Sequence, residues 1–306
     1  MHITDILLST QLIKRFCRDY NVPVSTFQYP YFEKQLETLS LYNPMYLTNF
    51  ANFAHEVMNF NSAEDYFLHY NTVKENIINY ITNHPQYKLF SERTFSKSDF
   101  PKKELYIEPN HSKKFISIDL CKANFTIVSK HCPDLFSNQT WEQVVEQFGG
   151  TEYLQGSKYI RQVIFGACNP KKQIQAQVEL MNSIATYLTD NNISVYSVVT
   201  DEILLENESY QKVHDLIMSL PDATNLKVEE FLLTKFDGGY IKTILNSTDV
   251  SSVGKRKLKC VDGDLYCQII KYFYNKDIEA HDLLFDYKGE LAKFVSPIPN
   301  PFINTK

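Results

Sequence analysis

From Ile6 to about Phe90, apolar residues recur at helical spacing, with Ile6, Leu7, Leu12, Ile13 and Phe16 on one face and Val73, Ile77, Ile78 and Ile81 on another. Pro23, Pro30, Pro44 and Pro85 divide this stretch into several helices, because proline has no amide hydrogen and disfavours a helical residue before it. The aromatics here include Tyr29, Tyr31, Phe32, Tyr66, Phe67 and Tyr70. Rings at helical spacing in a core-sized segment are expected to fill a core rather than to stack on a ligand. Phe95 to Lys114 is polar, carries Pro101 and Pro109, and reads as a connection.

The pattern then changes. Phe115 to Val128 collects β-branched and aromatic residues around Asp119, as in a strand followed by a tight turn. Trp141 to Phe148, Glu152 to Phe165 and the longer Lys172 to Leu188 have helical periodicity, the last ended by Asp190-Asn191-Asn192. Val195 to Val199 and Ile203 to Leu205 are strand-like runs that meet at Thr200-Asp201-Glu202, which predicts a hairpin with an acidic turn. A helix over Tyr210 to Leu220, strands over Val228 to Leu233 and Tyr240 to Leu245 joined by Asp237-Gly238-Gly239, and a helix over Leu265 to Phe273 complete the pattern. The order predicts an α+β fold, a helical N-terminal part followed by an α+β module, and no internal repeat.

Composition narrows the function classes. A 306-residue chain with 43% hydrophobic residues can bury one large or two medium cores. Its 36 acidic and 31 basic residues leave a net charge of -5, which excludes a globally cationic nucleic-acid binder and leaves only local patches. The basic clusters are Lys102-Lys103, Lys113-Lys114, Lys171-Lys172 and, most densely, Lys255-Arg256-Lys257-Leu258-Lys259. Six cysteines without a CxxC pair are expected to be reduced and structural. No apolar run approaches the roughly 20 residues that span a bilayer, and Asp5 interrupts the first apolar residues, so a cytoplasmic protein without membrane contact is expected. The eight histidines form no HxxxH or HxH spacing, and GxxxxGK[ST], GxGxxG and GxSxG are all missing. Zinc-hydrolase, P-loop, dinucleotide-fold and hydrolase-elbow chemistries therefore have no support in the sequence.

What remains is carboxylate chemistry. Phosphoryl transfer from a nucleoside triphosphate needs hard divalent ions, and these prefer carboxylate oxygen. Asp119 and Asp201 each end a strand-like run but lie 82 residues apart (201 − 119), so only tertiary structure can join them.

The segments around them resemble, in order, the palm motifs of template-directed polymerases. Asp119-Leu120-Cys121-Lys122-Ala123-Asn124-Phe125 resembles the first palm motif of family B polymerases and reverse transcriptases, with Asn124 where those carry an aromatic that screens the sugar. Ser157 to Gly166 resembles the family B fingers helix, with Lys158 and Phe165-Gly166 in place and Gln162-Val163 for the usual Asn-Ser. Thr200-Asp201-Glu202 resembles the third motif, the hairpin turn that is H-D-E in family A and D-T-D in family B. The likeness covers about Phe115 to Tyr274.

The resemblance implies a polymerase-palm-like antiparallel sheet with inserted fingers-like helices, and a domain plan of 1–114 (helical), 115–225 (palm and fingers) and 226–306 (palm to thumb). It implies a small, viral-type polymerase-like nucleotidyltransferase, in the host cytoplasm if viral, using Mg²⁺ or Mn²⁺ held by Asp119 and Asp201 with Glu202 in support. Lys158, Arg161 and Gln162 would contact the triphosphate, and Asn124, Phe125, Phe165 and Gly166 would line the sugar and base pocket. Lys255, Arg256, Lys257 and Lys259 would grip the backbone of a primer-template or single strand, and the N-terminal helices could dock a protein. The alternative is an inactive palm-like protein that binds nucleic acid or serves viral assembly.

Overall fold

The computed structural model describes residues 9–97 and 100–302, so Ile6 and Leu7 of the first predicted helical face lie outside the described residues. The chain separates into two compact units, each built from segments distant in sequence. The first comprises the described residues of Met1–Asn79, Gln139–Ile164 and Val261–Lys306; the second comprises those of Tyr80–Asn138 and Phe165–Cys260. These boundaries differ from cuts at 114 and 225, which would follow the order of the motifs along the chain.

The first unit is mainly helical. Helices α1 (Thr10–Asp19), α2 (Tyr31–Tyr42), α3 (Met45–Met58) and α4 (Ala63–Asn83) follow the proline punctuation, with Pro30 and Pro44 immediately before α2 and α3. Leu12, Ile13 and Phe16 bury the inner face of α1. Around Phe16 the rings of Phe32, Phe50, Phe53, Tyr66 and Tyr153 form a chain of contacts with centroids 5.0 to 6.4 Å apart. Tyr66, Tyr70 and Phe32 are therefore packing residues as expected, whereas Tyr29 and Tyr31 are exposed.

Asp19, at the end of α1, is fully buried and accepts hydrogen bonds from Tyr153 Oη (2.9 Å) and Ser157 Oγ (3.2 Å). Burial pushes its carboxyl up to about 6, against the pull of Arg15 one turn earlier. The C-terminal part adds a helix at Tyr266–Phe273, which packs on α2, and a hairpin of two short strands at Leu284–Tyr287 and Glu290–Lys293. Gln35 ties the N- and C-terminal segments together. Its Nε2 donates to the carbonyls of His281 and Leu284, both at 2.9 Å, while its Oε1 accepts from Ser25.

The stretch expected as one helix over Glu152 to Phe165 is two, α9 (Glu152–Gly156) and α10 (Lys158–Ala167), because Ser157 is extended and its Oγ caps the second by accepting from Ile160 N. Before them comes α8 (Trp141–Gln147), after α5 (Pro85–Glu92), α6 (Ala123–His131) and α7 (Pro133–Phe136) earlier in the chain. Thr140 closes a capping box on α8 with Gln143.

The second unit is built on a six-stranded sheet in which every pairing is antiparallel, in the order β2-β3-β1-β4-β5-β6. The strands are β1 (Lys114–Leu120), β2 (Val195–Val199), β3 (Glu202–Glu206), β4 (Leu226–Phe236), β5 (Gly239–Ser247) and β6 (Arg256–Lys259). Opposed residues of an antiparallel pair share a face, so the two faces can be read from register. One carries Phe115, Leu204, Phe231, Leu233, Tyr240 and Ile244, buried together with Leu105 and flanked by Tyr106 and Tyr196. The other carries Ile116, Ile118, Ile203, Leu205 and Val228, all buried, and is left to α11 (Pro170–Asp190) and α12 (Tyr210–Met218), which pack on β2, β3 and β4.

Two details depart from the sequence pattern. The β-rich stretch expected to run to Val128 stops at Leu120; Lys122 adopts a left-handed conformation (φ 47°) and α6 begins, burying Phe125, Ile127 and Val128. The basic run at 255–259 is an edge strand as well as a cationic patch, with Leu258 buried between exposed or half-buried basic neighbours. The Asp237-Gly238 turn between β4 and β5 is as predicted, and only glycine adopts the φ of +102° at Gly238 without strain.

Gly150 provides a test of the packing in the first unit. A Cβ there would sit 2.3 Å from Val145 Cγ1 and 2.9 Å from the Val145 carbonyl, and Val145 is fully buried. Gly150→Ala is expected to destabilise the protein by about 1–3 kcal/mol through overpacking, measured by chemical denaturation. An unchanged midpoint would show that the helix end can shift freely.

Candidate functional site

The register of β1 against β3 does what the 82-residue gap cannot (201 − 119). Asp119 lies directly opposite Glu202, and Leu120 N donates to the Asp201 carbonyl at 2.9 Å. Thr200 and Asp201 form the two-residue turn between β2 and β3, since Val199 pairs with Glu202 across it. Asp119, Asp201 and Glu202 are thus gathered at one end of the sheet, each half-buried. On its other side Asp119 faces Lys227 of β4. Glu202, Asp119 and Lys227 therefore form a transverse row on the face that also bears the aromatic cluster.

The electrostatics agree with this placement. Burial pushes the Glu202 carboxyl above the ordinary glutamate value; Lys242 opposes the shift, and the charges of Asp119 and Asp201 add to it. Burial likewise raises Tyr106, with Glu202 contributing, so this phenol stands close to the acidic end. Cys121 is raised by burial and by Asp119.

Next along the same face is a group of three lysines, of which the motif analysis singled out only Lys257, and in another role. Glu229, opposite Ser117, receives Lys227 at 2.8 Å, Lys257 at 3.0 Å and Lys242 at 3.2 Å. Burial alone would raise Glu229, but the three ammonium groups outweigh it and hold the carboxyl at about 2. Lys227 also meets Asp249 at 3.5 Å, and Lys242 donates to Ser117 Oγ at 3.2 Å. The available signal was the period-2 series Lys227, Glu229, Phe231, Leu233, in which one face of a strand changes from charged to apolar.

Other predicted site residues have different surroundings. Phe165 is fully buried and Phe125 nearly so, the two rings 6.5 Å apart, so they are packing residues and not walls of an open pocket. Asn124 is half-buried and its Oδ1 accepts from Gln177 Nε2 at 2.5 Å; Gly166 is exposed inside α10. Lys158 and Gln162 are exposed and Arg161 is half-buried, all three in the first unit; burial lowers the Arg161 guanidinium, with Glu142 opposing. Lys257 pairs with Glu229, and Lys255 and Arg256 are exposed.

Among the described residues, Glu279, His281 and Asp282 are the three ligand-type side chains whose atoms converge within 4.8 Å of one another, and the acidic end of the sheet does not form so tight a group. That trio already has its cation. Lys271 Nζ lies 3.5 Å from Glu279 and 3.6 Å from Asp282, and Asp282 also accepts from Thr38 Oγ1 at 3.1 Å. It is an ionic clasp. The six cysteines are all free thiols, as expected, and no helix among the described residues is long and apolar enough to cross a membrane.

No family model matches the chain, and comparison with curated proteins and with solved structures returns no match.

Two carboxylates on this face are displaced from their ordinary values in opposite directions. Glu229 lies below its ordinary value, so it contributes stability at neutral pH that disappears as pH falls toward about 2. Glu229→Gln should cost roughly 3 kcal/mol at pH 7, where it leaves buried ammonium groups short of a counter-charge, and the difference from wild type should shrink on acidification. Glu202 lies above its ordinary value, so wild type loses stability as pH rises through that range, and Glu202→Gln should be at least as stable as wild type at pH 7. Thermal melts across pH 2–8 check both; a Glu202→Gln melt well below wild type at pH 7 would contradict the second.

Proposed function

We propose that the second unit is a palm-type nucleotidyl-transfer module, in which Asp119, Asp201 and Glu202 would hold Mg²⁺ or Mn²⁺ while the 3′-hydroxyl of a nucleic-acid end forms an ester at the α-phosphorus of a nucleoside triphosphate, the bond to pyrophosphate breaks, and the hydroxyl proton passes to solvent. The reading rests above all on the pairing of Asp119 with Glu202 beside the Asp201 turn. It brings together carboxylates from two distant segments on one open end of an antiparallel sheet whose opposite face is given over to helices. The donor set suits the metal, because three carboxylates supply hard oxygen and no thiol or imidazole belongs to the row.

When bound, such ions neutralise charge on the transferring phosphoryl group and align the attacking oxygen. The contributions of the chain itself follow from its geometry. Asp119 and Glu202 are held by main-chain pairing, so their carboxylates need little reorganisation to accept a cation. Glu202, raised by burial and further by its two acidic neighbours, would be relieved by a bound cation. Exposed Lys255 and Arg256 supply the cationic surface suited to a nucleic-acid backbone, in a chain whose net charge of -5 offers none globally.

Primer extension with Mg²⁺ or Mn²⁺, run separately with dNTPs and NTPs, tests the reading. Asp119→Ala and Asp201→Ala should each lower incorporation by roughly 100-fold or more, as expected when a preorganised electrostatic group is lost. Incorporation that survives both changes would place the chemistry elsewhere. Wild type that neither incorporates nucleotides nor binds Mn²⁺ would end the proposal.

A further inference from the structure

The first unit holds a buried carboxylate that no cation answers. Glu56, on α3, is only 5% exposed, yet its side chain forms no ion pair among the described residues. Its one side-chain hydrogen bond is accepted on Oε1, from Thr151 Oγ1 at 2.8 Å, which leaves Oε2 without a donor among the described residues. An ionised carboxylate is costly to bury without a counter-charge. Burial raises the Glu56 carboxyl above the ordinary glutamate value, and Thr151, His69 and His55 pull the other way.

Glu56 lines a cavity of about 300 Å³, together with Asn52, His55, Asn59, Thr151 and Glu152. Asn52, His55, Glu56 and Asn59 recur at i, i+3, i+4 and i+7, so one face of α3 and its C-cap makes one wall. The start of α9, which packs on α3, makes another. Asn52, His55, Asn59 and Glu152 are exposed, so the buried charge stands behind a polar mouth.

Two carboxylates and two amides suit a ligand that carries positive charge and donates hydrogen bonds. A divalent metal does not meet this description here, because Glu56, His55 and Glu152 do not converge as Glu279, His281 and Asp282 do. A primary ammonium does, with one charge and three donors on a compact head. The volume lies at the small end of ligand cavities.

We infer that this cavity binds a primary ammonium group, with Glu56 Oε2 as its buried counter-charge and Asn52, Asn59 and Glu152 as its outer acceptors. The site belongs wholly to the first unit and does not depend on the transfer chemistry proposed for the second.

Calorimetric titration of the full chain with putrescine, a short alkyl diamine, tests this, with thermal melts alongside. Wild type should bind putrescine and melt at a higher temperature in its presence, and butanediol, its uncharged counterpart, should do neither. Glu56→Gln keeps the side-chain shape and an acceptor for Thr151, so it should fold at least as stably as wild type, because burial disfavours the charge. It should bind putrescine at least about tenfold more weakly, as when one charge-assisted hydrogen bond is lost. Asn59→Trp, at an exposed position, fills the cavity without altering the buried carboxylate and should block binding in a folded protein. A primary ammonium reaches such a site as a free amine or on a lysine side chain: tighter binding of putrescine than of N-acetyl-lysine amide assigns the first source, and the reverse order the second. The inference is overturned if neither amine binds wild type, if butanediol binds as well as putrescine, or if binding is unchanged in folded Glu56→Gln, or in Asn59→Trp where Glu56→Gln does not fold.

Discussion

The placement of β1 between β3 and β4 is the constraint on which the rest of the second unit depends. A strand has period 2, so a slip of one residue would send Asp119 to the helix-covered face and bring Ile118 to the face of the aromatic cluster. What prevents the slip is apolar burial: Ile116, Ile118 and Leu120 are almost completely buried, and each such side chain gains about 1.5–3 kcal/mol from leaving water. The carboxylate row is thus positioned by isoleucines on the opposite side of the strand. Chemistry and core share one register.

That register also explains how one sheet face can be part aromatic and part ionic. Along β4, Phe231 and Leu233 belong to the apolar cluster, and Glu229 and Lys227 follow at the next positions of the same face. Charges this close to a packed core must be matched, and the matching is collective: three lysines serve Glu229, and Lys227 is shared with Asp249. Lys242, whose ammonium lies over the Phe231 ring, joins the two halves. Removing one member changes the balance of all, so this network couples the folding of the sheet to the electrostatics of its acidic end.

The helices and hairpins were legible in the sequence because their signals are local. Pro30, Pro44 and Pro85 stand at helix starts, the Asp190-Asn191-Asn192 stop follows α11, and Asp237-Gly238 makes the β4–β5 turn. The proximity of Asp119 to Asp201 was inferable only through a resemblance, since strand pairing across 82 residues (201 − 119) leaves no local trace. The lysine network was not foreseen, because Lys227, Lys242 and Lys257 come from three strands and meet only in the folded sheet. The composition of the compact units has a similar origin. The described residues of Gln139–Ile164 and Val261–Lys306 group with the N-terminal helices, and motif order along the chain carries no record of that.

The likeness to polymerase motifs is uneven, and the structure gives the unevenness a physical basis. It is carried by backbone features, a strand ending near Asp119 and a hairpin turning at Asp201, and these depend on alternation and turn geometry more than on particular letters. At positions where a nucleotide would be contacted, side chains have other tasks. Asn124 is held by Gln177, Phe125 and Phe165 are in the core, and Lys257 is bound to Glu229. On the proposed reading, selection among nucleotides would come from groups outside those motifs. Within the second unit, the groups bordering the acidic end are Tyr106, Lys227, Lys242 and Lys259, each placed there by strand register or by the segment that covers the aromatic cluster. On the proposed reading, a phenol and several ammonium groups near three carboxylates would form a site tuned by charge, whose chemistry depends on how that balance changes when a ligand enters.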